Sequence, residues 1–345
     1  MRNSSKPVGI EDVARRAHVS ITTVSRVINH VPTVHPKNIE RVEEAIAALH
    51  YKPNVSAQRL ASGVTKAIGL VMPGYPGIFY SFYAVELMRG VGHGCESLQL
   101  DMVFHITNGS NPLKSNSVGG IVFADVIENR NQVDAALEAG LPCVIVNNHL
   151  KDVETHYIAL DNLLGGRMAA EYLTGLRHRR IATITGNVKT QAGAERLEGF
   201  AKYLKSKNIP LPEQYIYPGD YSRQSARRAM EQFLKLPERP TAIFAASDDM
   251  ALEALAVLAE NGLKAPRDIS LIGFDDNPAC LNAPVALTTL HQPLFRMAEE
   301  AVRLLHSIMQ GKTKKIVRKM IAPSLIVRES TAPYVPIQNS KEGHK

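Results

Sequence analysis

Tryptophan is absent from this 345-residue chain, which has only three cysteines and 6% aromatic residues. No apolar run approaches the roughly 18 to 20 residues of a membrane-spanning helix, and the N-terminus lacks the basic-then-apolar pattern of a secretory signal. The cysteines are odd in number and form no C-x-x-C pair, which excludes a disulfide framework and a zinc knuckle. We therefore expect a cytoplasmic protein without a metal or a cofactor.

The residues that are present are typical of folded α/β domains. Hydrophobic residues make up 45% of the chain and charged residues 21%, unlike a disordered protein. Short apolar runs alternate with helical patterns, which predicts parallel sheets with helices on both faces. The units are too many for one small sheet, so we expect two α/β lobes. The apolar runs occupy residues 68–72, 121–123, 144–146, 181–184, 242–245 and 269–274.

Positive charge is concentrated at the N-terminus. Residues 1–66 carry ten lysines and arginines against five acidic residues, an excess of five out of a net charge of +7 for the chain. A phosphate-binding module needs such a concentration, because neutralised phosphates release condensed counterions. A solvated basic surface would give the same count.

The spacing of apolar residues predicts a helix-turn-helix within this basic segment. Helices are expected over 10–17, 21–29 and 36–50, with His18 in the turn and Ser20 as an N-cap. In such a unit the second helix enters the major groove of DNA. A generic three-helix bundle fits the same spacing. The second helix leaves these side chains for another surface: Ile21, Thr22, Thr23, Ser25, Arg26 and Asn29.

Residues 9–29 resemble the headpiece of the LacI/GalR family of bacterial transcription regulators. The pattern V-S-x-x-T-V-S-R-V-x-N at 19–29 is very specific. The resemblance implies a DNA-binding repressor that acts as a homodimer on pseudopalindromic double-stranded DNA. It also implies a small-molecule effector, a sugar or a sugar derivative, that controls DNA affinity. Further similar segments are 49–54, 161–162, 196–200, 247–251, 270–275 and 288–293.

The same resemblance implies a domain organisation. A helix-turn-helix headpiece over 1–52 and a hinge over 53–65 precede a body over 66–345 that is similar to periplasmic binding proteins. The fold class is therefore α/β, with an all-α headpiece and a two-lobed body of parallel sheets. The N-lobe is expected to take about 66–161 and 292–321, and the C-lobe about 162–291 and 322–336.

The residues implied to contact DNA lie in the headpiece and the hinge. Residues 54–61 have the length of two helical turns, which are marginal alone in water, so the family's hinge helix would form only on DNA beside a second subunit. There Leu60 would be a wedge between base steps; a flexible tether is the alternative. The full set is Ser20, Ile21, Thr22, Thr23, Ser25, Arg26, Asn29, Thr33, Tyr51, Asn54, Ala57 and Leu60.

The resemblance also implies an effector cleft between the lobes, at the carboxyl ends of the parallel strands. An arginine, here on the first helix of the second lobe, and a strand-end aspartate suit a ligand with many hydroxyl groups. The alternatives are an Arg196–Asp275 salt bridge across an empty cleft and a purine ligand stacked on Tyr221. The implied cleft residues are Phe79, Tyr80, Asn147, Arg196, Tyr221, Ser247 and Asp275.

Three departures from the family limit the transfer. Residues 107–120 are too few for the usual helix between two strands, so this part of the N-lobe is expected to be trimmed. Gly9 stands where the family has a Ser or Thr cap, at a cost of a few tenths of a kcal/mol. The absence of tryptophan disfavours a ligand that the family sandwiches with that residue.

Three other functions fit the sequence less well. Adjacent aspartates such as Asp248 and Asp249 are not an acid/base couple, and no nucleophile elbow, P-loop or zinc-protease pattern is present, so an enzyme is not expected. A sugar-binding transport protein would need an export signal and no basic helix-turn-helix. A DNA-packaging protein would not need a body of this size.

Overall fold

The computed structural model describes residues 9–28, 31, 33–49, 66–75, 77–108, 111, 113, 117–126, 129–150 and 152–335. The chain divides into two compact units, Met1–Lys66 and Ala67–Lys345. No helix in these described ranges has the length and apolar character to cross a membrane.

Three helices form the first unit around a small apolar core. They are α1 (Ile10–Ala17), α2 (Ile21–Ile28) and α3 (Pro36–Leu49). The α1–α2 turn contains His18 in the left-handed conformation, with a φ of 53°. The core residues are Val13, Ala14, Ala17, Val24, Val27, Val42 and Ala45. The apolar spacing of the sequence therefore predicted these helices and their buried sides correctly.

The first lobe of the second unit contains a six-stranded sheet in which all pairs are parallel. The strands are β1 (Ala67–Pro73), β2 (Asp101–Thr107), β3 (Gly120–Ala124), β4 (Cys143–Val146), β5 (His156–Leu160) and β11 (Arg318–Ile321), in the order β11-β5-β4-β3-β1-β2. Helices α4 (Phe82–Ser97) and α10 (Leu294–Met309) pack on one face and α5 (Arg130–Glu138) on the other. Both faces of the inner strands are covered, so β1, β3 and β4 are buried and apolar, whereas the edge strands β2 and β11 carry exposed polar residues.

The second lobe repeats this plan. Its strands are β6 (Ile181–Ile184), β7 (Ile216–Tyr217), β8 (Ala242–Ala245), β9 (Ser270–Asp275), β10 (Thr288–His291) and β12 (Ser324–Ile326), in the order β12-β10-β9-β8-β6-β7. Only β12 is antiparallel to its neighbour in this sheet. Helices α6 (Asn162–Gly175) and α7 (Gln191–Ser206) cover one face, and α8 (Arg223–Lys235) and α9 (Asp248–Glu260) the other.

The chain passes between the two sheets three times, after β5, after β10 and after β11. The carboxyl ends of the parallel strands in both lobes carry the polar loops described below. Mixed α/β structure with two parallel sheets confirms the predicted fold class.

The β2–β3 crossover contains no α-helix among its described residues, 108, 111, 113 and 117–119. Leu113 instead lies directly over Gly69 of β1, where an added Cβ would come 2.5 Å from the leucine Cδ2. Val118 is buried in the same cluster. Glycine at position 69 therefore makes room for an apolar side chain that covers the sheet where a helix is absent.

Candidate functional site

The N-terminal turn of α2 presents a neutral surface of short side chains. The Ser20 hydroxyl accepts a hydrogen bond from the Thr23 backbone N–H at 3.2 Å, which caps the helix as the sequence predicts. Ser20, Ile21 and Thr22 are exposed, and α2 contains no acidic residue. Ile21 is 48% exposed, an unusual position for a large apolar side chain. Such a helix end can approach closely to a polyanion.

Arg26 is held beside this surface. Its guanidinium Nη2 donates to the Thr33 hydroxyl at 2.6 Å, and both side chains are exposed. Thr23 and Ser25 are half-buried along the same helix. The contact brings together two residues that the resemblance implied separately. The remaining implied DNA contacts lie outside the described residues: Asn29, Tyr51, Asn54, Ala57 and Leu60.

In the body, polar residues gather at the carboxyl ends of strands from both lobes. Asp125 follows β3 and Asn147 follows β4 in the first lobe. Tyr221 follows β7, and Asp275 ends β9, in the second. Asp125 lines one cavity together with residues 188–191 of the second lobe, so the two walls face a common cleft. Burial raises the pKa of Tyr221, and the charge of Arg196 opposes this rise.

The first-lobe wall contains buried oxygen atoms without hydrogen-bond partners. Among the described residues, neither the Tyr83 hydroxyl nor the Asn147 Oδ1 makes a hydrogen bond of ordinary geometry. Asn147 is 5% exposed and has a φ of 64°. Burial raises the pKa of Tyr83 well above its usual range, and Asp125 adds to this rise while the nearby Asn147 amide opposes it. Buried polar atoms normally have partners, so these two are unusual.

Arg196 is buried on α7. Its side-chain hydrogen bonds go to the second lobe and to Gln292, which lies where the chain crosses between the lobes after β10. Nε donates to Asn162 Oδ1 at 2.8 Å and Nη1 to the Ala246 carbonyl at 2.7 Å. The guanidinium also lies 3.5 Å from the centroid of the Phe274 ring. Its bond to Gln292 Oε1 is long, 3.5 Å. Because α6 precedes α7 in this lobe, Arg196 lies on the second helix and not on the first, as the sequence had suggested.

Asp275 ends β9 with a φ of 134°, a strained backbone conformation for a residue with a side chain. The Gln292 amide donates to its carboxylate. No ion pair joins Asp275 to Arg196, so the salt bridge considered from the sequence is not present between these two described residues. Burial, and after it the charge of Asp248, raise the pKa of Asp275 well above that of an ordinary carboxyl group.

Tyr221 lies in the loop after β7, and Ser247 lies at the start of α9. Tyr221 has a φ of 69°, and its hydroxyl lies 3.3 Å from the Thr190 hydroxyl. An added Cβ at Gly186 would come 2.2 Å from the Tyr221 ring, so the phenol end of the ring packs against that glycine. Ser247 caps α9 by accepting a hydrogen bond from Met250 N–H.

Phe79 and Tyr80 are not brought together with the other implied cleft residues. They form a short 3-10 turn, Ile78–Tyr80, in which Phe79 is 58% and Tyr80 92% exposed. Phe79 packs edge-on against Phe104 of β2. The aromatic residues beside Asp125 are instead Tyr75 and Tyr83, and the charge of Asp125 contributes to the raised pKa of both hydroxyls after burial.

Sequence reasoning missed Tyr75, Tyr83 and Asp125 in the first lobe and Gln292 at the lobe crossing after β10. Asp125 follows an apolar strand directly, as Asn147 does, so position alone could have identified it. Sequence position alone could not identify Tyr75 and Tyr83 as cleft residues. Both flank the 3-10 turn, and the conformation of that turn determines which aromatic rings face inward.

The rim of the cleft contains a cavity of about 270 Å³. Asp125, Asn148 and His149 line it from the first lobe, and residues 188–191 and Ala194 from the second. Gln191 bridges the lobes here: its Oε1 accepts from the His149 N–H at 2.9 Å, and its Nε2 donates to the His149 carbonyl at 3.1 Å. The His149 ring also lies 3.6 Å from a Glu195 carboxylate oxygen.

Comparison with known proteins identifies both units. Residues 9–54 match the family model described as bacterial regulatory proteins, lacI family, and residues 170–331 match a periplasmic binding protein-like domain. The HTH-type transcriptional repressor PurR of Escherichia coli O139:H28 is 34% identical over 336 residues, which cover 94% of this chain and 96% of PurR.

Solved structures agree. The transcriptional regulator CelR in complex with cellobiose has a TM-score of 0.70 and 31% identity, over 94% of this chain and 99% of CelR. The lac repressor dimer bound to operator and the anti-inducer ONPF has a TM-score of 0.80 and 27% identity, over 95% of this chain and all of the repressor chain. These findings confirm the resemblance that residues 19–29 carry. The chain belongs to the LacI family of bacterial transcription regulators.

Proposed function

We propose that this protein is a repressor whose affinity for operator DNA is controlled by a small molecule bound between its lobes. The most suitable ligand class is a sugar or a sugar derivative. The observation that carries the proposal is the cleft itself, in which buried oxygen atoms of Tyr83 and Asn147 lack partners while Arg196 and Asp275 lie on the opposite wall. A ligand with many hydroxyl groups would supply the missing hydrogen bonds.

The headpiece surface supports the DNA-binding part of the proposal. Short, neutral side chains at the start of α2 permit close approach to the major groove, and the exposed Ile21 suits contact with a thymine methyl group. Arg26 suits guanine, whose O6 and N7 accept hydrogen bonds. Because one headpiece reads few base pairs, we propose that a homodimer binds a pseudopalindromic operator.

The proposed domain division is a headpiece over 1–52, a hinge over 53–65 and a body over 66–345. The N-lobe takes about 66–161 and 292–321, and the C-lobe about 162–291 and 322–336. The seven effector residues implied by the family remain the proposal, with Tyr75, Tyr83, Asp125 and Gln292 added from the geometry. We further propose that the protein acts in the cytoplasm, where its DNA target lies, and that it is not an enzyme.

A purine effector is the second candidate. The 34% identity to the HTH-type transcriptional repressor PurR supports it. The family resemblance implies that an aromatic residue, here Tyr221, and an aspartate, here Asp275, would contact the purine. A purine would stack on the Tyr221 ring. The phenol end of that ring already lies against Gly186, which limits the space beside it for a ligand.

The test begins with selection of the operator from a random DNA pool by the full-length protein. The selected duplex is then titrated in the presence of sugars, sugar phosphates and purines, with the wild type and Asp275→Ala. We expect one compound class to change operator affinity of the wild type and not of Asp275→Ala. A response that persists undiminished in Asp275→Ala would place the effector elsewhere. Failure of the protein to select any DNA sequence from the pool would contradict operator binding.

A further inference from the structure

The hydrogen-bonding groups and charges of the cleft restrict the effector further. We propose that the cleft takes a ligand without a phosphate or a carboxylate, whose hydroxyl or amino hydrogens are accepted by Asp125 and the Asn147 Oδ1 on the first-lobe wall. This inference rests on the proposed function. It concerns the charge and polarity of the ligand, on which sugars, sugar acids, sugar phosphates and nucleotides differ.

The first-lobe wall offers hydrogen-bond acceptors to a ligand. The Asn147 Oδ1 is a buried acceptor without a hydrogen-bond partner in the described part of the chain. The Tyr83 hydroxyl lies beside the Asn147 side chain and, because its pKa is raised, keeps its proton and can donate it. Asp125 is half-buried, and its charge acts on the hydroxyl pKa of Tyr83. An ionised carboxylate accepts hydrogen bonds and donates none. A phosphate or carboxylate oxygen facing Asp125 and the Asn147 Oδ1 would meet acceptors and negative charge.

The cation on the opposite wall is already engaged by the protein. Arg196 is the only buried guanidinium among the described cleft residues, but three of its nitrogen atoms donate to protein oxygens. Its planar face is also occupied by Phe274. Only the long bond to Gln292 is weak enough for a ligand oxygen to replace easily. A bidentate clamp on an anion, the usual use of arginine in phosphate recognition, would require breaking the shorter bonds.

The charges of the cleft interior do not favour an anion. Asp275 faces the same cleft and has Asp248 behind it. Whether or not Asp275 is ionised, the carboxyl groups of Asp125 and Asp275 at least match the charge of Arg196, so the interior offers an anion no net attraction. Lys189 lies at the rim but is exposed to solvent, where its charge is screened.

The decisive experiment compares neutral probes with anionic counterparts by thermal shift of the full chain. The pairs are glucose with glucose 6-phosphate, cellobiose with cellobionate, and hypoxanthine with inosine monophosphate; glucosamine is added as a cation. We expect the melting temperature to rise only with neutral or cationic members. A rise with an anionic probe that is lost in Asn147→Gly would overturn the proposal.

The Asn147→Gly variant removes the acceptor while keeping a residue that tolerates a φ of 64°. We expect it to weaken the neutral probe about tenfold, the usual effect of deleting one buried hydrogen bond. Asn208→Gly is the matched control, since Asn208 has a φ of 52° on an exposed turn after α7. Asp125→Asn should also weaken binding, because it replaces one carboxylate acceptor by a donor.

The outcomes separate this inference from the function on which it rests. A neutral probe that binds equally well to wild type and Asn147→Gly would overturn the acceptor wall but leave an effector cleft. Tight binding of an anion would overturn the charge argument and also leave the effector cleft. No shift with any probe would contradict both the inference and the proposed effector control.

Discussion

At the residue scale, charge in this protein is used mainly to hold neighbouring groups in place. Arg196 holds Asn162 on α6 and the Ala246 carbonyl after β8, while Asp275 is bonded to Gln292 at a hinge crossing. Replacing either side chain would therefore disturb both ligand contacts and the wall behind them. Arg26 in the headpiece differs, because its side chain is exposed and donates a hydrogen bond to the Thr33 hydroxyl.

We expect Arg26→Ala to weaken binding to the selected operator by about 1 to 3 kcal/mol and to relax preference at one base pair per half-site. A bidentate arginine–guanine contact would be lost, whereas folding would be little affected because the side chain is exposed. Competition binding with single-base operator variants measures the change. Arg15→Ala is the control, since Arg15 is an exposed arginine on α1 paired with Asp12. Equal loss of specificity in both variants would contradict the assignment.

His178 predicts a pH dependence of stability. Its ring is 3% exposed and bridges the Thr241 hydroxyl and the Ala332 carbonyl, which fastens the C-terminal segment to the second lobe. Burial lowers its pKa below the ordinary value of 6.5. The unfolded chain therefore binds this proton first, and the contribution of His178, complete above pH 6.5, is lost as the pH falls toward its folded pKa.

We expect the free energy of unfolding to fall by up to about 1 kcal/mol per pH unit for this group below pH 6.5. His156, whose pKa burial also lowers, adds to the slope. Urea unfolding at several pH values between 7.5 and 5.5 gives the free energy of unfolding at each pH. This free energy should change less with pH in His178→Gln than in the wild type. His306→Gln on α10 is the control. An unchanged slope in His178→Gln would show that this histidine does not carry the effect.

At the element scale, the crossing of α6 and α7 positions the cleft arginine. A Cβ added at Gly166 would lie 1.9 Å from the Arg196 carbonyl oxygen, and one at Gly199 would lie 1.9 Å from the Leu163 carbonyl oxygen. The two helix backbones are thus in direct contact, and the backbone of Arg196 is part of that contact. The two glycines allow the short separation that lets its guanidinium reach Asn162.

We expect Gly166→Ala to separate the two helices and destabilise the body by about 1 to 3 kcal/mol, the usual cost of overpacking, and to weaken the effector response. Gly175→Ala on the same helix is the matched control, because no atom lies within 4 Å of its added Cβ. Urea unfolding and effector titration measure both variants. Equal behaviour of the two alanine variants would contradict a role for the crossing.

Local sequence rules predicted the regular elements better than the turns between them. The stripe of Val13, Ala14 and Ala17 defines α1, because a helix repeats its buried side every three to four residues. Phe79 and Tyr80 were expected to line the cleft. Tyr80 is instead exposed, because Gly77, with a φ of 81°, starts a turn that leaves it in solvent. The position of Leu113 in the β2–β3 crossover likewise depends on its fit over Gly69, a contact distant in sequence.

At the scale of the whole molecule, control of DNA binding requires two lobe arrangements that the effector distinguishes. A ligand can shift such an equilibrium only by its difference in affinity for the two arrangements. In the arrangement described here, the lobes are joined at the rim of the cleft by two hydrogen bonds between Gln191 and the His149 backbone. These bonds favour the closed arrangement even without a ligand.

We expect Gln191→Ala to shift the ligand-free body toward a more open arrangement, because the His149 N–H and carbonyl lose their partner across the cleft. Loss of two hydrogen bonds is expected to change the equilibrium by about 1 to 3 kcal/mol, comparable with a typical allosteric coupling. Small-angle scattering should give a larger radius of gyration, and effector should be needed at higher concentration to alter operator affinity. Gln224→Ala is the control, since Gln224 is exposed in the first turn of α8. If Gln191→Ala matches Gln224→Ala in both measurements, the bridge does not contribute to the balance between arrangements.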